Sequence, residues 1–476
     1  MRGFHIRAFV PPSACRRNCV LDRTIRLLVR MRYDYIIVGG GVAGGVLAGL
    51  LGRGGKNVLV LEKSVTSPTL VRPEIVWPAT TAVLRSLIPA DRLAADTLLP
   101  LGRVELRAGN GDSLDLPEDF ISRRGIERCS LEPNVLRTHL LDIDRFELRR
   151  GVEVTGLVKH SGRVVGVRAR DLSTSRENEF LAPCTVGNDG VHSFVRRECG
   201  ISMRTRLFPI DFLCFGFDWP AAIPRPTTRV WLNTTALDSG VLGMFALPLV
   251  ADKGVGLIAV RPAVFEHADR AQQGWERLRA IDDCIAEVVG GREFPGGFVR
   301  VRRPWGHARR YGVPGAVLMG DASHPVSPVG GQGTNMAVAD AATFAELALE
   351  NVANLHTEFE RLRRPANTRS MGFTRTAAPV LRLPASCIPN FAVDLVVRWL
   401  CRNPSTLVNA ILHSSTAFES SERRPKTSDG RASCPRSPAR VKQPHRRSPR
   451  SSASSVLVLP ESSAQRSRRV RPRPGL

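Results

Sequence analysis

The chain has 476 residues, of which 43% are hydrophobic and 24% charged, and its formal net charge is +24 at pH 7. This composition excludes a protein that is disordered throughout and is typical of a globular α/β chain with one large or two ordinary domains. The ten cysteines are scattered without a CxxC pair, so we expect a reduced, intracellular protein without structural zinc.

The positive charge is concentrated at the two ends of the chain. From Ser421 onward fifteen Lys/Arg oppose three Asp/Glu, and residues 1–32 contain eight Arg and one Asp, which leaves a net charge of +5 for residues 33–420. We predict that residues 1–30 are a disordered extension. Two explanations stay open for it: an upstream start codon before Met31, or an amphipathic organellar transit peptide.

The first motif follows a short apolar strand. Residues 39–44 satisfy G-x-G-x-x-G and precede a segment rich in alanine and leucine that is typical of a helix. Gly39 would permit the tight turn, Gly41 would let backbone reach a pyrophosphate, and Gly44 would allow close packing of helix on strand. Glu62 ends the next predicted strand, where its carboxylate can accept both hydroxyls of an adenosine ribose. This register predicts a bound dinucleotide.

The next hundred residues contain mixed elements and two arginines of interest, Arg72 and Arg128. A buried Arg72 could reach the dinucleotide phosphates, whereas an exposed one would have no such role; the sequence leaves both open. The patterns predict helices over 79–99 and 132–145, a hairpin over 101–116, and strands at 151–158 and 163–170.

A second acidic turn follows a predicted strand that begins at Cys184. Asp189 and Gly190 lie in this turn, and a helix is predicted to begin beyond Ser193. Asp189 is placed to bind a ribose or a pyrophosphate-linked hydroxyl, and Ser193 to cap the helix. The alternative is a simple N-capped helix start.

From about residue 205 to 302 the sequence pattern changes. Short apolar and aromatic runs, separated by Pro, Gly and Asp, predict antiparallel strands, and residues 266–290 predict one amphipathic helix.

The third motif runs from Gly320 to Asn335. A strand ends on Gly320-Asp321, a proline-containing loop follows, and a glycine cluster opens a predicted helix. The glycines let backbone approach a ligand, and the helix start offers unpaired N–H groups with a positive dipole end. Such a site suits an anion or an electron-rich ring edge, while the acid can accept hydrogen bonds from a hydroxyl chain.

The C-terminal part contains a predicted helical region over 336–370 and a mixture of helix and proline breaks over 377–412. No stretch has the roughly 18–20 uninterrupted apolar residues of a transmembrane helix, although a helix lying on a membrane surface stays open beside internal packing. The tail 418–476 is rich in Ser, Pro and Arg and is predicted to be disordered. Because no aromatic residues are interleaved with its charges, we expect no nucleic-acid binding.

The order of these three motifs resembles that of the FAD-dependent aromatic hydroxylases, the single-component flavoprotein monooxygenases of the para-hydroxybenzoate hydroxylase type. The resemblance covers about residues 31–350. It implies an α/β fold: a Rossmann-like FAD-binding domain (31–204 and 303–350, with 79–125 partly on the substrate side) and an inserted antiparallel-sheet substrate domain (205–302). A helical C-terminal segment (351–417) and a disordered basic tail (418–476) would follow.

The resemblance also implies residue roles. The pyrophosphate of FAD would contact the three glycines of the first motif, the adenosine ribose would contact Glu62, and the remaining contacts would come from Arg72, Arg128, Asp189, Gly190, Asp321, Pro328, Gly331, Gly333, Thr334 and Asn335. His192 and His324 occupy family-typical positions and are expected to be packing residues. Family members reduce FAD with NADH or NADPH, then use O2 to form a flavin C4a-hydroperoxide that hydroxylates an activated ring.

The substrate base stays unassigned. Some phenol hydroxylases deprotonate their substrate through tyrosines of the second domain, but the three tyrosines here lie outside residues 205–302. Either no relay is needed or another group such as His267 serves. Two other functions stay open: a membrane-associated flavin epoxidase or isoprenoid-modifying enzyme, and a non-enzymatic nucleic-acid-associated protein with a degenerate flavin fold. Substrate identity, nicotinamide preference and oligomeric state are not predicted; a cytoplasmic location, with or without membrane association, is expected.

Overall fold

A computed structural model describes residues 31–66, 69, 72–123, 127–328, 330–383 and 390–405. The predictions for residues 1–30 and for the tail 418–476 lie outside this range. The helices are α1 (Val42–Arg53), α2 (Pro78–Leu87), α3 (Ala90–Asp96), α4 (Glu118–Ser122), α5 (Pro133–Leu141), α6 (Phe194–Glu198), α7 (Ala268–Arg279), α8 (Cys284–Val289), α9 (Gly333–Leu349), α10 (Leu355–Ser370), α11 (Gly372–Arg382) and α12 (Asn390–Arg402).

The strands form five sheets. They are β1 (Tyr35–Val38), β2 (Val58–Glu62), β3 (Ile75–Val76), β4 (Leu98–Pro100), β5 (Arg103–Ala108), β6 (Ser113–Leu116), β7 (Cys129–Leu131), β8 (Glu147–Arg150), β9 (Val152–His160), β10 (Arg163–Asp171), β11 (Glu177–Leu181), β12 (Cys184–Gly187), β13 (Met203–Leu207), β14 (Asp211–Asp218), β15 (Thr227–Leu232), β16 (Val241–Pro248), β17 (Lys253–Val260), β18 (Val299–Val301), β19 (Pro304–Ala308), β20 (Gly312–Val313) and β21 (Ala316–Leu318).

The first sheet has the order β20-β21-β12-β1-β2-β8 and is parallel except for β20. Alternate residues of β1 face opposite sides. Ile37 packs with α1 and α9 on one side, and Ile36 packs with the three-stranded sheet β9–β11 on the other. Burial on both faces explains why these strands are continuous apolar runs in the sequence. The predicted α/β fold is confirmed.

The second large sheet has the order β18-β14-β17-β16-β15-β5-β6. Its pairs are antiparallel, as predicted, apart from the parallel pair β15 and β5. Helices α7 and α8 cover one face, where Trp231, Ile258 and Trp275 lie in one buried cluster. The hairpin predicted over 101–116 is present as β5 and β6 and belongs to this sheet. The boundaries between domains stay predictions.

Three sequence-based boundaries were wrong. The helical stretch predicted over 79–99 is two helices, α2 and α3, that end at Asp96, and residues 98–100 form β4. The single helix predicted over 266–290 is two helices, because Asp282 interrupts it: Oδ1 accepts a hydrogen bond from Cys284 N at 3.0 Å, while Oδ2 accepts one from the Trp231 indole at 2.9 Å. The helix predicted over 132–145 ends at Leu141, and residues 147–150 instead form β8 beside β2. Charged residues obscure this edge strand in the sequence.

Within the described residues, no helix is both long enough and apolar enough to span a bilayer. The last described helix, α12, packs through Val393, Val397 and Cys401 on a cluster that includes Trp77 and Leu106.

Candidate cofactor and substrate cleft

The three sequence motifs line one continuous cleft of about 660 Å³. They meet because β1, β12 and β21 are neighbouring parallel strands, so that the loops following them emerge at the same edge of the sheet, where α/β folds bind ligands. The volume is within the usual range for ligand sites. Eleven of the predicted residues line the cleft: Gly39, Gly41, Glu62, Arg72, Asp189, Gly190, Asp321, Pro328, Gly331, Gly333 and Thr334.

The glycines of the first motif differ in what surrounds them. Gly39 has a positive φ of 104°, and a Cβ at Gly44 would lie 2.2 Å from the Gly39 carbonyl oxygen, so neither position admits a side chain. A Cβ at Gly41 would meet only the Asn188 amide at 3.7 Å, and one at Gly190 would meet no atom within 4 Å. Gly41 and Gly190 therefore leave room for a ligand to approach backbone.

Glu62 is buried in a small ionic network at the end of β2. Its Oε2 accepts a hydrogen bond from Gly40 N at 2.7 Å, its Oε1 accepts one from Ser64 N at 2.8 Å, and Arg137 Nη2 lies 3.1 Å from Oε2. The Arg137 side chain also donates to the Gly40 carbonyl at 2.7 Å. This network fixes the carboxylate beside the glycine turn and adds an arginine to the cleft wall.

Asp189 has a structural role in addition to its place on the cleft. Its Oδ1 accepts from the Ser193 hydroxyl at 2.5 Å, and its Oδ2 accepts from Phe194 N and Val195 N at 2.6 and 3.1 Å. Ser193 in turn caps α6 by accepting from Arg196 N at 3.0 Å, as predicted. The carboxylate thus fixes the second turn, and the residue also lines the cleft.

Glu74 links Arg72 to the start of α9. It forms an ion pair with Arg72 and accepts a hydrogen bond from the Thr334 hydroxyl. The negative charge of Glu74 raises the pKa of Arg72, which holds that guanidinium firmly in its charged form on the cleft wall. Asn335 does not line the cleft; its amide donates to the carbonyls of Ile75 and Gly331 and so fixes the glycine loop.

Asp321 lies three residues beyond the end of β21, where it pairs with Arg303. The preceding Gly320 has a φ of 56°, which is why a glycine is required in this turn. Asn188, from the second turn, has its amide nitrogen 3.4 Å from the Gly39 carbonyl and its amide oxygen 3.5 Å from the position of a Cβ on Gly320. It therefore lies between all three motifs.

A buried carboxylate supports the Gly320 turn from behind. Asp340, in α9, accepts hydrogen bonds from Gly320 N at 3.0 Å, His324 Nε2 at 2.5 Å, Arg363 Nε at 2.8 Å and Asn367 Nδ2 at 3.1 Å. Burial alone would raise the pKa of Asp340, but the charges of His324 and Arg363 and their hydrogen bonds outweigh it and hold the pKa well below its ordinary value. His324 is therefore a buried structural residue, as expected.

His307 and Tyr311 extend this interior. The ring nitrogen Nδ1 of His307 lies 2.7 Å from the Tyr311 hydroxyl. Burial, followed by the neighbouring His324, lowers the pKa of His307 to about 4, so the imidazole is neutral at pH 7. Burial raises the pKa of Tyr311 far above 10, which excludes it as a phenolate base at neutral pH.

One group of residues on the cleft wall is apolar. It comprises residues from the second sheet and from the proline loop: Phe212, Cys214, Leu257, Val301 and Val326. Burial raises the pKa of Cys214 to about 12, so this residue contributes a neutral thiol. His267, considered above as a base, is exposed at the start of α7 and is not among the cleft residues. His192 does line the cleft.

Arg128 is not among the residues that line the cleft, contrary to expectation. It precedes β7 and is buried, and its Nη2 has no hydrogen-bond partner among the described residues; burial lowers its pKa to about 10. The arginine that this region contributes to the cleft is Arg137, nine residues later on α5. Sequence reasoning also missed Glu74 and Asp340. Arg137 lies one turn inside α5, and the first residue of that helix, Pro133, lines the cleft. A charged side chain one turn after the predicted helix start was therefore the only hint of Arg137 in the sequence.

Comparisons with known proteins agree with this geometry. The sequence profile of the FAD binding domain family matches residues 32–365. The chain is 30% identical over 335 residues to 6-methylpretetramide 4-monooxygenase of Streptomyces rimosus, covering 65% of this chain and 73% of that protein. It is 24% identical to squalene epoxidase 2, mitochondrial, of Arabidopsis thaliana, covering 71% and 58%. The crystal structure of P. aeruginosa PqsL with 2-aminobenzoylacetate superposes with a TM-score of 0.62 at 21% identity, covering 76% and 98%.

Proposed function

This chain belongs to the FAD binding domain family of flavin-dependent monooxygenases, and on that premise we propose that it hydroxylates an aromatic or polycyclic small molecule with NADH or NADPH and O2. The observation that carries the proposal is the convergence of Gly41, Asp189 and Asp321 on one cleft whose wall also contains a group of apolar side chains. The relative that acts on 6-methylpretetramide supports a polycyclic aromatic substrate.

The residues present fit FAD. Open space at Gly41 and Gly190 leaves backbone accessible to a pyrophosphate, and the charges of Arg72 and Arg137 complement its phosphates. Glu62 would accept the adenosine ribose hydroxyls, and Asp321 those of the ribityl chain. Pro328 and the loop from Gly331 to the start of α9 would lie against the isoalloxazine ring.

When bound, FAD would supply the redox chemistry by taking a hydride from the nicotinamide and activating O2 for transfer of one oxygen atom to the substrate. The chain's own residues would position FAD and the substrate and stabilise the charge that develops on them. Gly333 and Thr334 place the start of α9 on the cleft wall, where its unpaired backbone N–H groups and positive dipole end would stabilise negative charge on the flavin ring. The side chains of Phe212, Leu257 and Val301 would exclude water around the substrate ring.

No tyrosine or histidine of the second sheet lines the described cleft. We therefore propose that the substrate enters already activated, as a phenol or enol of low pKa, or donates its proton to solvent. An epoxidase or isoprenoid-modifying activity is the second candidate. The squalene epoxidase among the relatives and the apolar side chains on the cleft wall favour this second candidate.

The experiment is to purify the full chain and measure bound flavin, then NADH and NADPH oxidation with polycyclic phenols and, separately, with isoprenoid alkenes. We expect a yellow protein whose NAD(P)H consumption rises with a phenolic substrate and yields a hydroxylated product. Asp321→Ala should lose most of its flavin, whereas the control Asp218→Asn, on the exposed end of β14, should retain it. A colourless wild-type protein that does not take up added FAD would overturn the proposal.

A further inference from the structure

Helix α12 buries one apolar face and exposes another. Val393, Val397 and Cys401 pack inward, whereas the exposed side contains Phe391 (66% exposed), Leu395 (58%), Val396 (57%) and Trp399 (51%). Residues 391, 395 and 399 are spaced by four, so they lie above one another on the helix surface. We call these four exposed residues the α12 stripe.

The α12 stripe is a concentrated feature rather than ordinary surface. Eleven large apolar side chains are exposed in the part of the chain that the structure describes, and four of them belong to this one helix of thirteen residues. Single exposed apolar side chains are common on soluble proteins, but a contiguous patch marks an interaction site.

The size of the α12 stripe argues against a second copy of the chain as its occupant. Thirteen residues make a helix of about 20 Å, and one stripe on it offers far less than the roughly 800 Å² per partner that a stable dimer buries. A bilayer surface has no such requirement, because a helix lying in the headgroup region inserts only its apolar face.

The basic residues of α12 and of the sequence after it indicate a bilayer that contains anionic lipids. Arg402, in the last turn of α12, is exposed, whereas Arg398 on the same helix is half-exposed and pairs with Asp112. The sequence from Ser421 onward has a net charge of +12. Basic residues next to an apolar helix face are attracted to anionic lipid headgroups. Aromatic residues such as Phe391 and Trp399 are favoured at the headgroup level.

We propose that the α12 stripe docks the protein on an anionic lipid bilayer, with α12 lying flat in the headgroup region. The docking does not depend on the reaction catalysed, and it concerns a face of the molecule separate from the residues that line the cleft.

The experiment is flotation of the full chain with vesicles of phosphatidylcholine and phosphatidylserine, against vesicles of phosphatidylcholine alone. The test variant is Leu395→Ser/Trp399→Ser. The matched control is Leu172→Ser/Val299→Ser, which removes two exposed apolar side chains elsewhere. We expect wild type and control to float with anionic vesicles, and the test variant to show a partition coefficient lower by about tenfold or more, since each apolar side chain contributes to insertion. Circular dichroism and flavin content should match among all three.

A high-salt wash distinguishes apolar insertion of α12 from electrostatic attraction by the basic residues. After a high-salt wash, which screens the basic residues, we expect wild type to stay on the vesicles and the test variant to be released. Brominated lipid should quench the fluorescence of Trp399, a loss that Trp399→Phe abolishes. Equal partition of wild type and the test variant would overturn the proposal, as would a protein that salt alone releases completely. A wild-type dimer that the test variant converts to monomer, without vesicle binding, would also overturn it.

Discussion

Replacing Asp340 by asparagine should destabilise the protein more than any other change of a single charge near the cleft. The carboxylate is fully buried and accepts four hydrogen bonds, from one backbone amide and three side chains. An asparagine side chain has the same shape, but its NH2 group would face two of these four donors and could not accept their hydrogen bonds. It also lacks the negative charge that pairs with Arg363.

The magnitude follows from these contacts. Breaking a buried ion pair by removing one partner costs about 3–5 kcal/mol, a large part of the roughly 5–15 kcal/mol that stabilises a typical native protein. Because Asp340 Oδ2 also accepts the Gly320 amide, Asp340→Asn should lower FAD affinity together with stability. Urea unfolding followed by far-UV circular dichroism, with and without FAD, measures both effects.

The pH dependence provides an independent check on the same residue. The folded-state pKa of Asp340 lies below its ordinary value of 3.8, so its contribution to the free energy of unfolding is present above about pH 4 and is lost as the pH falls further. The difference between wild type and Asp340→Asn should therefore shrink below pH 4. Asp218→Asn, which alters an exposed pair with Lys253, is the control and should leave the unfolding midpoint unchanged. Equal midpoints for Asp340→Asn and wild type would refute this reasoning.

Three further outcomes are expected. Gly44→Ala should abolish FAD retention, because its Cβ would lie 2.2 Å from a backbone carbonyl oxygen, whereas Gly291→Ala, with no atom within 4 Å, should have no effect on flavin content. Arg137→Met should weaken FAD binding by about tenfold or more, as expected for loss of a charge-assisted contact, while Arg128→Met should leave flavin content unchanged; isothermal titration of the apoprotein compares the two. His307→Gln should flatten the decline in stability between pH 6.5 and 4, since the buried imidazole stays neutral there while the unfolded chain takes up a proton; thermal melts across that range would contradict this if both proteins showed the same slope.

The parts of the site that sequence could predict are those encoded by local backbone requirements. Gly39 and Gly320 occupy conformations that favour glycine, and each follows a buried strand, so their positions are visible in a short window. Residues supplied by helices were harder to find. Arg137 and Asp340 lie inside helical segments, and only the three-dimensional packing shows which face of each helix meets the cleft or the turn behind it.

Arg128 shows the opposite error, in which a residue predicted for the site does not belong to it. The family resemblance implied a contact between Arg128 and FAD, yet the side chain is buried and does not line the cleft. The broken helix at Asp282 depended on a partner, the Trp231 indole, 51 residues away in the chain. The contact between Asp282 and Trp231 leaves no local signal, whereas the contact between Asp282 and Cys284, two residues apart, is a local one.

The joining of β5 and β6 to the sheet built by residues 211–301 has a consequence for any attempt to divide the protein. A fragment cut from about 205 to 302 would lose its parallel partner along the whole of β15, from Thr227 to Leu232. The freed edge would present unpaired backbone groups beside the buried Trp231, a surface prone to strand-to-strand aggregation. We therefore expect residues 205–302 to form this sheet correctly only when β5 and β6 are present, either in the same polypeptide or in a co-expressed one.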